Sequence, residues 1–262
     1  MDKEELLSLA KDPKYIPGIY NYCDRWCERC PFTSRCLNCT LVEPQFGDLE
    51  EIDELNAAFW QRLSDMLQGT LAMVKEMAQE KGFDIESMEN DEACSRQAAV
   101  KESALADLLS HASKRYAESV DDWFNLNDDL LYDKEAKLNQ IRLAPQNDPV
   151  KEAADIKDAI EVIRWYRYQI HVKLARACKS AIEEESGSYD DFTKDSDGSA
   201  KIALIGIDRS RAAWNILGRY FPEKRSEIIN LIALLENIQR MVEIRFPHAR
   251  VFVRPGFDNT AP

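Results

Sequence analysis

Apolar and polar positions alternate with helical periods along most of the chain, and proline and glycine mark where those periods stop. Proline is absent from 45–144, 150–221 and 223–246, and glycine is sparse there, so these intervals read as long helices. The first covers 49–81, with Ile52, Leu55, Phe59, Met66, Met73 and Met77 on one face and Gly82 as its stop. A second starts near Asp91 and carries Leu105, Leu108, Leu109, Ala112 and Tyr116. It breaks around 125–129, where Asn and Asp side chains compete for backbone hydrogen bonds, and resumes to about Leu143. Asp148 is placed as the N-cap of a third helix, with Pro149 at its first position. That helix carries Ile156, Ile160, Ile163, Ile170, Leu174, Ala177 and Ala181 at the 4-3 spacing of a bundle seam. A polar loop over 187–198 precedes a fourth helix, 199–220, which is apolar on nearly every side, as a central bundle helix must be. Pro222 opens a fifth that ends near Pro247, and the following residues read as extended. Strand signals are otherwise nearly missing, and no fixed-period repeat occurs. The expected fold is all-α: a bundle of about five helices over 49–247, a cysteine-rich module over 1–48 and an extended tail over 248–262.

Composition narrows the function classes. A chain of 262 residues with 45% hydrophobic and 31% charged residues is of the soluble globular type. Its formal net charge of −13 argues against nucleic acid and anionic membranes as partners, since phosphate contacts need Lys and Arg. The N-terminal MDKEELLSLAKDPK lacks a secretory pattern, and the longest apolar run, 228–235, is too short to span a bilayer. A cytoplasmic protein is the expectation. The stretch from Arg219 to Arg254 holds seven Lys or Arg against four Glu, a local +3. It either docks on acidic helices of its own chain or offers a patch to an acidic partner protein.

The chemistry concentrates between Tyr20 and Cys39, where YNYCDRWCERCPFTSRCLNC holds five of the seven cysteines. Their spacing is Cys23-x3-Cys27-x2-Cys30-x5-Cys36-x2-Cys39. If the chain is helical after Gly18, Cys23, Cys27 and Cys30 share one face, and Cys36 and Cys39 fold back over it on a loop. Converging thiolates repel unless a cation neutralises them, and in a reducing compartment such a cluster reads as metal ligands rather than disulfides. Isolated cysteines such as Cys94 and Cys178 read as core. Four thiolates suit zinc or an iron–sulfur cluster. The paired C-x2-C motifs favour zinc, with iron–sulfur as the alternative. Cys23, Cys27 and Cys30 resemble the cluster-binding triplet of radical SAM enzymes, but the alternating strands and helices those enzymes need are missing. Cys27 to Cys36 also resembles a spacing of auxiliary iron–sulfur modules.

A second candidate lies in the third helix, where Glu161, Arg164, Tyr168, His171, Ala175 and Cys178 form a stripe beside the seam, and Arg167 sits in the seam itself. The apolar fourth helix carries Asp208, Arg209 and Arg211, and charges there need partners. The plainer expectation is a paired network, with Arg167 or Arg164 meeting Asp208 or Glu161. The sharper one is a pocket for a small anion at Glu161, Arg164, Tyr168, His171, Asp208 and Arg211, with or without catalysis. No histidine has a Glu three residues before it, which disfavours a di-metal carboxylate site. Nucleotide-binding and hydrolase motifs are missing, and DSDGSAK at 195–201 reads as helix capping rather than a calcium loop. The leading expectation is a non-catalytic protein whose zinc pins the N-terminal segment onto a bundle that serves another protein as a scaffold.

Overall fold

The computed structural model describes residues 3–46, 57–82, 95, 98–103, 107–140, 149–185 and 194–258, with backbone alone at 3, 43–46, 57–59 and 135–140. Among these residues the protein is helical without strands. The main helices are α1 (Lys3–Lys11), α2 (Leu37–Phe46), α3 (Ala57–Glu80), α4 (Leu108–Leu126), α5 (Asp128–Gln140), α6 (Pro149–Glu185), α7 (Asp195–Tyr220) and α8 (Arg225–Arg245). No described helix is long and apolar enough to cross a membrane.

The chain divides into two compact units: residues 1–98 with 254–262, and residues 99–253. The second unit contains α4 to α8, while α3 clusters with the N-terminal residues rather than with these five.

In the second unit α4 packs on α6, α6 on α7, α7 on α8, and α8 back on α4, so four helices close a ring around one core. The α6–α7 pair is the most extensive of these contacts. Its seam on α6 is Ile156, Ala159, Ile163, Tyr166, Ile170, Leu174 and Ala177, all buried at 3-4 spacing. Ile160 and Ala181, expected in the seam, are only half-buried. On α7 burial extends round most of the helix, from Ile202 through Trp214 to Leu217, as its all-round apolar sequence requires. Gly206 makes the close approach: a Cβ there would lie 2.9 Å from Tyr166 Cδ1 and 3.1 Å from Ile170 Cγ1. The seam on α8 is Ile228, Leu231, Leu235, Ile238 and Val242. Between α4 and α7, Trp214 donates its indole N–H to the Tyr116 hydroxyl at 3.0 Å and meets Trp123 edge-on at 5.0 Å. Burial pushes the Tyr116 hydroxyl far above its ordinary value, so it stays protonated and polar but uncharged.

Helix boundaries follow local chemistry. The break expected around 125–129 falls at Asn127, whose side chain donates to the Trp123 carbonyl at 2.7 Å. Pro149 opens α6; its expected cap, Asp148, lies outside the described residues, as do Ile52, Leu55 and Cys94. Residues 195–198, read as a loop and a cap, are instead the first turn of α7. Its N-cap, Lys194, gives no side-chain bond, and the cap comes from α6: Glu184 accepts from the Ser196 N–H at 3.1 Å and its hydroxyl at 2.8 Å. The segment expected as an extended tail contains a short 3₁₀ turn, Ala249–Val251, and a turn at 255–258. On α3, Met66 and Met73 are half-buried, whereas Trp60, Leu67, Leu71 and Val74 are exposed.

The α6–α7 contact gives a sharp test. Gly206→Ala forces Tyr166 or Ile170 out of a packed rotamer and costs about 1–3 kcal/mol. Gly69→Ala, on α3 with open space where the Cβ would stand, is neutral or stabilises by up to about 1 kcal/mol. Thermal unfolding of the two variants by circular dichroism checks the contrast.

Candidate functional site

The first unit builds its cysteine region from turns. Gly18 has φ +72°, and residues 17–22 form turns rather than a helix, so the expected helical face carrying Cys23, Cys27 and Cys30 does not form. Beyond it, the Asp24 side chain accepts from the Trp26 N–H at 3.3 Å, and Arg25 adopts a left-handed φ of 58°. Cys27 then opens a 3₁₀ turn, Cys27–Arg29, closed by the Cys30 N–H on the Cys27 carbonyl at 3.1 Å. The Arg29 guanidinium lies 4.1 Å from the Trp26 ring centre. A second 3₁₀ turn, Thr33–Arg35, leads to Cys36. Cys39, expected on a loop, lies in the first turn of α2, with the Cys36 carbonyl accepting from the Thr40 N–H at 3.1 Å. The last two thiols therefore flank a helix N-terminus, whose partial positive charge favours an anion.

All five thiols are free, and all five border one small cavity of about 20 Å³, together with Ile19, Thr33 and Phe257. As they stand, no three Cys, His, Asp or Glu side chains among the described residues are grouped closely enough to hold one metal ion. The sulfurs are nonetheless electrostatically coupled. Burial, then the neighbouring Cys39, Cys23, Glu28 and Cys36, push the Cys27 thiol up to about 11. Burial also raises the Cys30 thiol, while the Phe32 N–H, which donates to its sulfur at 3.4 Å, works the other way. Such an N–H···S bond strengthens when the sulfur is a thiolate.

A strap from the far end of the sequence lines one side of this cavity. Phe257 lines it and meets Phe32 edge-on at 5.1 Å. The strap is held in shape by Asp258, which accepts from the Arg254 backbone N–H at 2.9 Å and from its guanidinium at 2.9 and 3.0 Å. Gly256, at φ +77°, passes so near Ile16 and Ile19 that a Cβ would stand 3.0 Å from each Cδ1. Cysteine spacing gives no hint of Phe257, because it is 234 residues (257 minus 23) from the first thiol.

The α6 stripe resolves differently. Arg167 pairs with Asp121 of α4 at 2.9 Å, and Tyr168 donates to the same carboxylate at 2.5 Å. His171 Nδ1 lies 3.1 Å from the Ser113 hydroxyl, and burial holds its ring below the ordinary histidine value. Cys178, buried and raised to about 12 chiefly by burial, donates to Asp107 at 3.6 Å. Asp208 pairs with Arg250 at 2.5 Å, Arg211 with Glu236 and Gln239 at 2.8 Å each, and Arg209 with the Tyr166 hydroxyl. The expected pairs of Arg167 or Arg164 with Asp208 or Glu161 are thus replaced by partners on α4, α8 and the segment after it. Of the six candidate ligand residues, Glu161 and Arg164 border a shared groove, about 570 Å³ between α5 and α6. Arg164 there stacks over Phe124 at 4.7 Å, and Lys157 approaches Glu161 at 4.0 Å. Tyr168, His171, Asp208 and Arg211 do not join them. No protein-family model, curated protein or solved structure matches the chain.

Two outcomes follow from this geometry. Asp107 caps α4 through the Leu109 N–H at 2.9 Å and pairs with Arg245; burial alone would raise its carboxyl, but these partners hold it below the usual range. Its contribution is therefore complete above about pH 4 and is lost as pH falls through the lowered native value. Asp107→Asn weakens the second unit at neutral pH by about 1 kcal/mol or more and flattens its acid-limb stability, measured by urea unfolding from pH 6 to pH 2. Gly256→Ala displaces Phe257 and increases the rate at which a disulfide reagent titrates the clustered thiols, while the α4–α8 helices keep their unfolding midpoint.

Proposed function

We propose that Cys23, Cys27, Cys30, Cys36 and Cys39 supply the ligands of one structural zinc ion, and that the protein is a metal-stabilised helical scaffold rather than an enzyme. The single observation that carries this reading is five free thiols bordering one cavity of about 20 Å³. That volume is close to one water-sized sphere, the space one ion needs, and is small for a cube of iron and sulfide. Two further features agree with it. Cys36 and Cys39 flank the N-terminus of α2, and the Phe32 N–H already addresses the Cys30 sulfur. Binding requires small side-chain rotations that bring four sulfurs to about 2.3 Å from a common point. A divalent cation at that point offsets the burial and, after it, the mutual repulsion that raise the Cys27 thiol.

Zinc in this place has a structural task. Among the described residues before α2, 3–36, there is one nine-residue helix and otherwise turns, with Tyr15 and Ile19 the buried apolar side chains. So small a core does not hold itself together, and a four-thiolate metal is a common remedy. The bundle then serves as the scaffold for a partner protein. The polar stripe on α6 gives the enzyme reading little support, because Arg167, Tyr168 and His171 are engaged by Asp121 and Ser113 of α4.

Metal analysis of anaerobically purified protein tests the reading. About one zinc per chain and no visible absorption are expected; brown protein with iron and sulfide overturns zinc in favour of a cluster. Cys27→Ser and Cys30→Ser each abolish binding, since both belong to every plausible four-ligand set, whereas Cys23→Ser or Cys39→Ser alone is better tolerated. A chelator increases protease cleavage within residues 1–46 and leaves α4 to α8 intact. A metal-free protein whose N-terminal segment resists protease equally well with and without chelator would overturn the structural role.

A further inference from the structure

The outer surface of the α7–α8 hairpin carries a groove of about 840 Å³, apart from the cysteine cavity and from the α6 stripe. Its floor is aliphatic: Ile216 on α7 with Ile228, Ile229 and Ile232 on α8. Ile229 is 53% exposed, and Ala212 at the groove's far end is exposed as well. Gly218 leaves the side of the groove open beside the Ile228 methyl group, since a Cβ there would lie 3.6 Å from it. At the end nearest the Pro222 turn stand two exposed arginines, Arg219 and Arg225.

Charge decides what fits. The chain has 47 acidic against 34 basic residues, yet no Asp or Glu lines this groove. Neighbouring cations are consumed within the unit: Lys224 pairs with Glu227, Arg211 with Glu236, Arg245 with Asp107, and Arg250 with Asp208 and Glu243. Among the described residues, Arg219 and Arg225 have no carboxylate within ion-pair distance. Two uncompensated cations at one end of an aliphatic furrow are complementary to an acidic, amphipathic occupant. Shape selects among such occupants. The lining positions recur at 212, 216 and 219 on α7 and at 225, 228, 229 and 232 on α8, so the furrow runs about two helical turns, roughly 10 Å, between two near-parallel ridges. A third helix fits such a furrow by its i, i+3, i+4 and i+7 side chains. A membrane is a poorer match, because two arginines on a chain of net charge −13 give little attraction to an anionic surface.

We infer that the α7–α8 groove is a docking site for an acidic amphipathic helix of a partner protein, whose aliphatic face covers Ile216, Ile229 and Ile232 and whose carboxylates meet Arg219 and Arg225. The inference deepens the scaffold reading by naming its surface, but the groove contains none of the cysteines, so metal content and helix binding are read separately.

The test uses the full-length, metal-replete protein and two fluorescently labelled helical peptides. One carries Leu at i, i+3, i+4 and i+7 flanked by Glu; the other has Lys in place of every Glu. Fluorescence anisotropy is expected to show binding of the Glu peptide that weakens with salt, and at least tenfold weaker binding of the Lys peptide. The double reversal Arg219→Glu, Arg225→Glu is expected to invert that preference, and Ile229→Asp to weaken both peptides. All three sites are exposed, so unchanged thermal unfolding confirms that the variants fold. Failure of the Glu peptide to bind, or equal binding of both peptides, overturns the inference. Arginine-dependent binding to phosphatidylglycerol vesicles without peptide binding overturns it in favour of a lipid surface. Zinc analysis on the same samples shows whether the metal reading stands irrespective of either result.

Discussion

The second unit depends on how closely α6 and α7 approach. A helix can lie against another at short range only where one of them lacks a side chain, and Gly206 provides that gap against Tyr166 and Ile170. From this contact the rest of the ring follows. Tyr166 is fixed between the two helices with its hydroxyl on Arg209, and an adjoining side of α7 buries Trp214 against Tyr116 and Trp123 of α4. The remaining flank of α7 then meets α8. A helix buried on so many sides has few places for charge, and in its middle stretch Asp208, Arg209 and Arg211 reach partners at its margins.

That constraint was legible in part. All-round hydrophobicity over 199–220 identified α7 as the central helix, and 3-4 spacing on α6 located its seam. Neither pattern reveals which helix satisfies a given polar residue. The α6 stripe found Asp121 and Ser113 on α4, rather than Asp208 on α7, because the face that α6 turns to α7 is its own buried seam. The stripe residues sit on the adjoining flank, toward α4. Helix starts were legible where the chain itself supplies the signal, as at Pro149. They were misplaced where the cap comes from a distant residue, as Glu184 does for α7.

The cysteine segment shows the same division. Spacing alone located the five thiols and implied that they converge, and they do border one cavity. Helical periodicity was the wrong geometry for bringing them there. Gly18 and Arg25 in left-handed conformations make a turning path, which places residues of short, irregular spacing around a point rather than along a face. In α2, by contrast, a true helix begins at Leu37 and carries Cys39 on its first turn. The contribution of Phe257 was invisible for a different reason: an aromatic residue in a short tail has no periodic pattern and no chemical signature of its own.

Phe257 sets an order of events in biosynthesis. The first thiol emerges from the ribosome 234 residues (257 minus 23) before the ring that lines its cavity. At about 5–20 residues per second, roughly 10–50 s pass in which the cysteines are made but that ring is not. During that interval the nascent thiols lack the aromatic ring that lines their cavity in the finished fold.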